Sequence, residues 1–239
     1  MTLILAAVKP KFAVIASDGA EFRHFKDRPT ELAVRDRQKL FPLHGRSVVF
    51  GIHGQNRLHS DEAPDGVLVG SIIADYHDHL IAIPEVIRIA EYLRDQLLPL
   101  FRSTVNFLNR SSLEAQALKI LSIGFDLGGD RCVAFETTWN PLSERSPVEI
   151  VPFDCSKLRL IHAASGESFV RDVVGKTGNK LHPDAVRKSS LDDTKKYVKQ
   201  VYDAAFASQP THDIKFDGKY QCISVNSNGW RWQEGVPSS

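Results

Sequence analysis

The chain has 239 residues, 42% of them apolar, so it is long enough to bury a large core. Its 30 basic and 29 acidic residues give a net charge of +1, whereas proteins that bind nucleic acids or anionic membranes usually need a basic surface. No apolar run approaches the ~18 residues of a transmembrane helix, and no secretory-type leader opens the chain. We therefore expect a cytoplasmic protein without nucleic-acid or membrane partners.

The composition is uniform along the chain. No Gly-, Ser- or Pro-rich linker divides it, so we expect one domain over residues 1–239. Three widely spaced cysteines, Cys132, Cys155 and Cys222, match neither a disulfide framework nor a zinc site. We expect them to be reduced and mostly buried, and we predict no metal or cofactor.

The first eighteen residues predict a buried β-hairpin. Two apolar runs, 3–8 and 12–16, flank the turn residues Lys9-Pro10-Lys11. A buried strand that opens directly after Met-Thr is unusual, because chain termini are normally frayed. One chemistry requires this arrangement: a threonine, here Thr2, whose own α-amino group is its base once the preceding methionine is removed. Asp18 ends the second strand, across the hairpin from Thr2.

Strands dominate the rest of the first fifty-odd residues. Extended segments are expected at 19–25, 37–43 and 47–52, joined mostly by polar turns that suit an antiparallel sheet. A polar loop over 55–70 follows. Helices are then predicted over 71–80, from Pro84 to a stop at Pro99, and over 112–118.

In the second half of the chain, a block of predicted strands is followed by helices and then by further strands. The predicted strands cover 120–126, 131–136, 148–153, 158–164, 220–225 and 230–232. One helix is expected to start near Ser165 and end before Gly175, and a longer one covers 191–206 with Ser190 as its N-cap. Separate blocks of strands and helices favour an α+β fold over βαβ units.

The element order and several residues together resemble the proteasome β-subunit family of N-terminal nucleophile hydrolases. Members of this family begin with Thr, which is followed by an apolar strand, and they carry an Asp after the second strand. A Lys opens a later strand, and a Gly ends the strand that follows it. The matching residues here are Thr2, Ala16-Ser17-Asp18, Lys39, Gly51-Ile52-His53-Gly54, Ile123-Gly124-Phe125-Asp126 and Ala164-Ser165-Gly166. The resemblance spans Thr2 to about Val225. It implies a four-layer αββα sandwich with two antiparallel sheets.

The resemblance also implies a role for each matched residue. The implied catalytic residues are Thr2, Asp18, Lys39, Ser165 and Asp213, with Thr2 as nucleophile. Ser165 could equally be a plain N-cap. The N–H of Gly54 would stabilise the oxyanion. An extended peptide would add to the strand edges near Glu21 and Ile52.

The carboxyl-terminal part departs from the family pattern. An Asp-x-x-Ser-Gly-Gly motif is replaced by Asp-Ile-Lys-Phe-Asp-Gly at residues 213–218, so Phe216 stands where a serine hydroxyl is expected. Three functions remain open. The first is a threonine-type peptidase in a self-compartmentalising homo-oligomer, with an unfoldase as a further partner. The others are a non-catalytic scaffold of the same fold, which Phe216 and a retained Met1 favour, and a small-molecule amidase of the same class.

Three other patterns bear on function. His77 and His79 lie two residues apart on a predicted helix, so they would point away from each other rather than bind one metal. Gly175-Lys176-Thr177 lacks the earlier glycine of a phosphate loop. The helix from Pro84 carries more apolar residues than one sheet-facing stripe needs, and we therefore expect self-association into a ring. These residues are Val86, Ile87, Ile89, Ala90, Leu93, Leu97 and Leu98.

Overall fold

The computed structural model describes residues 3–142, 148–164, 167–175, 181–209 and 217–235. The strands are β1 (Leu3–Lys9), β2 (Phe12–Ser17), β3 (Glu21–Arg23), β4 (Glu31–Val34), β5 (Leu40–Leu43), β6 (Val48–Gly54), β7 (Arg57–Leu58), β8 (Val67–Leu68), β9 (Leu118–Phe125), β10 (Cys132–Trp139), β11 (Val148–Phe153), β12 (Arg159–Ala164), β13 (Gln221–Asn226) and β14 (Gly229–Glu234). The helices are α1 (Val69–Asp75), α2 (His77–Ala82), α3 (Val86–Asn109), α4 (Glu167–Val174) and α5 (Leu191–Ala207).

The amino-terminal hairpin forms as the sequence predicts. All seven residues of β1 are buried, and β1 pairs antiparallel with β2 across the turn at Pro10 and Lys11. The second edge of β1 pairs with β12, which brings Leu3 opposite Ala164. The start of β1 therefore lies beside the ends of both β2 and β12.

The prediction of a sandwich built from two antiparallel sheets is wrong. The described residues form four antiparallel sheets, and the fold is mixed α/β. Two sheets have five strands, in the orders β12-β1-β2-β13-β14 and β11-β10-β9-β6-β5. The other two are the two-stranded pairs β3–β4 and β7–β8. Strand β3 falls within the extended segment expected at 19–25, whereas β7 and β8 lie in the region 55–70 where we expected a polar loop.

Three apolar clusters hold these elements together. One joins the two five-stranded sheets through residues such as Ile4, Ile15 and Ile123. A second packs α1, α2 and α3 against the sheet that contains β6 and β9. The third packs α4 and α5 against the sheet that contains β1 and β2. Alternate residues of β1 enter different clusters, because side chains along a strand point to opposite faces of its sheet.

Helix α3 differs from the sequence prediction at its end. Pro99 lies inside the helix, which continues to Asn109 instead of stopping. A proline removes one helical hydrogen bond, but Leu97 and Phe101 on either side are buried in the core and offset that loss. The helix expected over 112–118 is absent from the described chain, since Leu118 already begins β9.

The apolar face of α3 packs inside the protein. Five of the seven residues that suggested an interface are buried, and Ile87 and Leu98 are half-buried. Their partners are buried side chains of the sheet that contains β9 and β10. The excess apolar surface that favoured self-association is therefore covered within one chain.

The helix expected over 71–80 is divided into α1 and α2 at Tyr76, whereas α5 agrees closely with the prediction. The N-cap of α5 is Ser190, whose Oγ accepts a hydrogen bond from the backbone N–H of Asp193 at 3.2 Å. The three cysteines are buried. In the part of the chain that the structure describes, no helix is long and apolar enough to cross a membrane.

Candidate active site

A buried ion pair lies at the end of the hairpin. Asp18 follows β2, Lys39 precedes β5, and the Lys39 Nζ lies 3.3 Å from Asp18 Oδ1 and 3.4 Å from Oδ2. The side chain of Asp18 is 0% exposed and that of Lys39 is 3% exposed. The same Nζ donates to the carbonyl of Ala20. A buried charge needs such partners, since an unpaired one costs several kcal/mol, roughly 3–5.

The Asp18 carboxylate is also bound to backbone amides. Oδ1 accepts from the N–H of Leu3 at 2.8 Å, and Oδ2 accepts from the N–H groups of Ala20 and Asp217 at 3.1 and 3.3 Å. Leu3 is joined to Thr2 by a peptide bond. One carboxylate therefore connects the start of β1 to the lysine and to the segment that precedes β13.

Burial changes the proton affinity of the lysine. Loss of hydration lowers the pKa of Lys39, while the negative charges of Asp18 and Glu21 oppose this shift. Arg37, which carries the same charge as Lys39, lowers the pKa further. The result is an ammonium group with a reduced pKa that shares the Asp18 carboxylate with the N–H of Leu3.

Gln221 fixes the backbone of the lysine from the other sheet. Its Nε2 donates to the carbonyl of Arg37 at 2.6 Å, and its Oε1 accepts from the N–H of Lys39 at 3.0 Å. On the opposite side, the N–H of Ile52 donates to the Lys39 carbonyl at 3.0 Å. Sequence reasoning missed Gln221, because a glutamine at the start of a strand carries no signal of such a contact.

Glu21 has a different environment from the one expected. Its carboxylate is buried between Arg37 and Arg57, with Nε–Oε distances of 2.5 and 3.0 Å. Burial alone would raise the pKa of Glu21, but the hydrogen bonds and charges of the two arginines outweigh it and hold the pKa below its ordinary value. The sequence predicts a role only for the backbone of Glu21, and the cluster with two arginines is not expected from it.

Gly54 adopts a conformation that other residues rarely adopt. Its φ is +77°, and a Cβ added there would lie 1.8 Å from the carbonyl oxygen of Ala117. Amide directions alternate along a strand, so the Gly54 N–H lies on the same side as the Ile52 N–H, which reaches Lys39. Because β5 begins only at Leu40, this N–H lies beyond the paired part of β5.

Ile52 is less suited to substrate binding than expected. The residue is buried, and its N–H is already bonded to the carbonyl of Lys39. An added peptide strand therefore cannot use this amide. Ile52 instead helps to hold Lys39 in place.

A cleft of about 260 Å³ opens beside Glu21 and Gly54, and we call it the Gly54 cleft. Its walls combine apolar side chains such as Phe25 and Leu113 with polar ones such as His24. Three of its lining residues are arginines and three are acidic. The lining of the cleft includes Glu21 and Gly54, two of the three residues whose backbone was expected to bind substrate.

Three of the predicted catalytic residues, Thr2, Ser165 and Asp213, lie outside the described residues, and so does Phe216. The described residues next to Thr2, Ser165 and Phe216 are linked to Asp18 directly or through one strand pairing. Leu3 is bound to Asp18 and is paired with Ala164, the residue before Ser165. Asp217, which follows Phe216, donates its N–H to Asp18.

The histidines noted in the sequence have local partners. His77 Nδ1 lies 3.1 Å from Asp78 Oδ1, and His77 Nε2 lies 3.1 Å from the carbonyl oxygen of His44. His79 stacks on the ring of Tyr92. Within the described ranges, no three His, Cys, Asp or Glu side chains are grouped as metal ligands.

No protein-family model matches this sequence, and no curated protein matches it. The case for a function therefore rests on the residues and their geometry. Asp18, Lys39, Glu21 and Gly54 are the predicted residues that the structure brings to one end of the hairpin.

Acidification is expected to destabilise the fold. Burial lowers the pKa of His24 from 6.5 to about 4, so the unfolded chain takes up this proton first. The stability that neutral His24 contributes is complete above pH 6.5 and is lost as the pH falls towards 4. Allowing for its partial exposure, we expect a loss on the order of 1 kcal/mol in this window.

Urea unfolding at pH 7 and pH 4.5 measures this effect. The matched control is His24→Asn, which can still bond Thr30 but cannot take up a proton. Its stability should fall less between the two pH values. An identical fall in both proteins would show that His24 is not responsible.

Proposed function

We propose that this protein is a threonine-dependent amide hydrolase that cleaves peptides. Its nucleophile is the Thr2 hydroxyl, and its base is the Thr2 α-amino group after removal of Met1. The observation that carries the proposal is the Asp18 carboxylate, which binds both the Lys39 ammonium and the Leu3 N–H. This arrangement places the Lys39 ammonium and the Leu3 N–H on the same carboxylate.

The chemistry needs a base that is neutral near pH 7. An α-amino group has an ordinary pKa of about 7.7–8.0, and a nearby ammonium favours its neutral form. The amine accepts the hydroxyl proton while Oγ bonds to the substrate carbonyl carbon. The C–N bond then breaks as the proton passes to the leaving amine. Water hydrolyses the resulting ester with the same amine as base.

Two features support binding of a peptide substrate. The Gly54 N–H lies beyond the paired part of β5, on the Lys39 side, where it can donate to an oxyanion. The Gly54 cleft lies next to it and can accept one substrate side chain. Equal numbers of acidic and arginine side chains line this cleft, so charge alone does not define the preferred side chain.

Assembly into a ring and an unfoldase partner remain implications of the family resemblance, and a cytoplasmic location remains an expectation from the composition. Three buried thiols suit a reducing compartment. Ring assembly has lost the support of α3, whose apolar face is covered. Light scattering coupled to size-exclusion chromatography tests it, and a single monomeric species at micromolar concentration would favour the small-molecule amidase.

One observation favours the non-catalytic scaffold as the rival. Phe216 replaces the hydroxyl that the family pattern places near the nucleophile. A scaffold would retain the ion pair for stability alone. Its surface would bind partners without turning over an amide.

Incubation with a mixture of peptides of varied sequence distinguishes a hydrolase from a non-catalytic scaffold. We expect mass spectrometry to find new amino and carboxyl termini after incubation with protein that lacks Met1. Absence of cleavage by such a preparation, for peptides and simple amides alike, would contradict the proposal and favour the scaffold.

A further inference from the structure

We infer that His53 is a positioning residue that sets the direction of the Gly54 N–H in the active site. This inference rests on the proposed function. His53 directly precedes Gly54, so the two residues share the peptide bond that carries this N–H. Rotation of that peptide would turn the N–H away from a substrate carbonyl.

The His53 side chain points into the interior between the two five-stranded sheets. Side chains alternate along a strand, so His53 shares a face with Gly51, two residues earlier. That face lies against β1, since a Cβ added to Gly51 would be 3.4 Å from Ile4 Cγ2. His53 is 3% exposed, a degree of burial unusual for a histidine that lies beside a cleft.

A partly exposed polar cluster lies beside the imidazole. His53 Nε2 lies 3.6 Å from Glu136 Oε2, and the other carboxylate oxygen lies 3.3 Å from Lys119 Nζ. Lys119 is the residue opposite His53 in the pairing of β6 with β9. Glu136 therefore approaches the imidazole from β10, and Lys119 on the intervening strand β9 contacts the same carboxylate. Nε2 has no hydrogen-bond partner among the described residues, and its contact with Glu136 is longer than a hydrogen bond.

The charges in this region favour a neutral imidazole. Burial lowers the pKa of His53, and the positive charges of Lys119 and Lys39 lower it further, although Glu136 opposes them. Burial raises the pKa of Glu136, but its contacts with His53 and Lys119 outweigh burial and hold the pKa below its ordinary value. A neutral ring next to an ionised carboxylate can donate one hydrogen bond and adds no second cation near Lys39.

Two constraints therefore act on the peptide between His53 and Gly54. Gly54 permits a positive φ and close approach to the Ala117 carbonyl. His53 anchors the other end through its side chain. Without this contact the peptide is held by the pairing of β6 with β9 alone, and a donor displaced by about 1 Å can cost up to ~10²-fold in rate.

The test measures kcat and KM of wild type, His53→Leu, His53→Gln and Glu136→Gln on one cleaved peptide. We expect kcat to fall at least tenfold in His53→Leu and Glu136→Gln with KM within about twofold, because oxyanion contacts act mainly in the transition state. His53→Gln keeps a buried donor and should recover part of kcat. Thr137→Val is the matched control, since Thr137 is buried beside Glu136 but faces away from it.

Unchanged kcat in His53→Leu, or a change in KM alone, would overturn the inference. If the wild type cleaves nothing, the proposed function fails, and the amide resonance of Gly54 decides the structural claim. Glu136→Gln should shift this resonance through His53, whereas Thr137→Val should leave it in place. An unmoved Gly54 resonance in Glu136→Gln would overturn the inference as well.

Discussion

Thr2→Ala is expected to abolish hydrolysis, lowering kcat/KM by at least ~10⁴-fold, because removal of a nucleophile leaves only binding and oxyanion stabilisation. The fold should persist, since the seven buried residues of β1 are unchanged. Thr2→Ser keeps both the hydroxyl and the amine and should retain partial activity.

Cleavage of one peptide by equal amounts of the three proteins provides the measurement. Circular dichroism and thermal unfolding of each variant show whether the fold is unchanged. A normal rate in a folded Thr2→Ala variant would remove Thr2 from the mechanism.

Lys39→Ala is expected to reduce hydrolysis by roughly 10³-fold, because positive charge near the Thr2 amine and the developing oxyanion is lost. The same change leaves Asp18 buried without its cation, a loss of roughly 3–5 kcal/mol that can unfold the protein. The double variant Lys39→Met with Asp18→Asn removes both charges. We expect it to be more stable than Lys39→Ala and equally inactive.

Arg37→Ala is the matched control for Lys39. Arg37 lies two residues before Lys39 but contacts Glu21, which keeps Arg57 as a second partner. We expect a change of less than tenfold in kcat, since Arg37 does not touch Asp18. An inactive Arg37 variant together with a normal Lys39 variant would show that the assignment of the lysine is wrong.

The sequence is most informative at the amino-terminal hairpin. Two apolar runs around a proline turn predict both strands, and the spacing from Thr2 to Asp18 predicts which strand ends meet. Lys39 lies far from Asp18 in the chain, so its contact depends on how β5 packs against β2. Its role came from a family resemblance, and the structure supplies the distance.

Other contacts depend on tertiary packing that no local pattern encodes. Pro99 has the properties of a helix stop, yet burial of neighbouring residues extends α3 past it. Asp126 belongs to a motif shared with the resembling family, and its carboxylate accepts from the N–H of Val86 at 2.8 Å at the start of α3. Gln221 and Arg57 reach the site from distant elements. Single-residue propensity says nothing about such contacts.

The two-stranded sheets also depend on tertiary packing that the local sequence does not encode. Residues 31–34 form β4, although their polar neighbours at 26–30 indicated a loop. The pairing with β3 places Arg23 opposite Glu31, a contact between residues in a segment without clear alternation. Short strands of this kind are set by their partners more than by their own sequence.

The central claim is that Thr2 is the amino-terminal residue of the working enzyme. The most direct test is the intact mass of the protein purified from the cells that make it. We predict a mass that lacks Met1, with the α-amino group of Thr2 free. A mass that includes Met1 would contradict the mechanism, because the threonine nitrogen would then be an amide and could not act as a base.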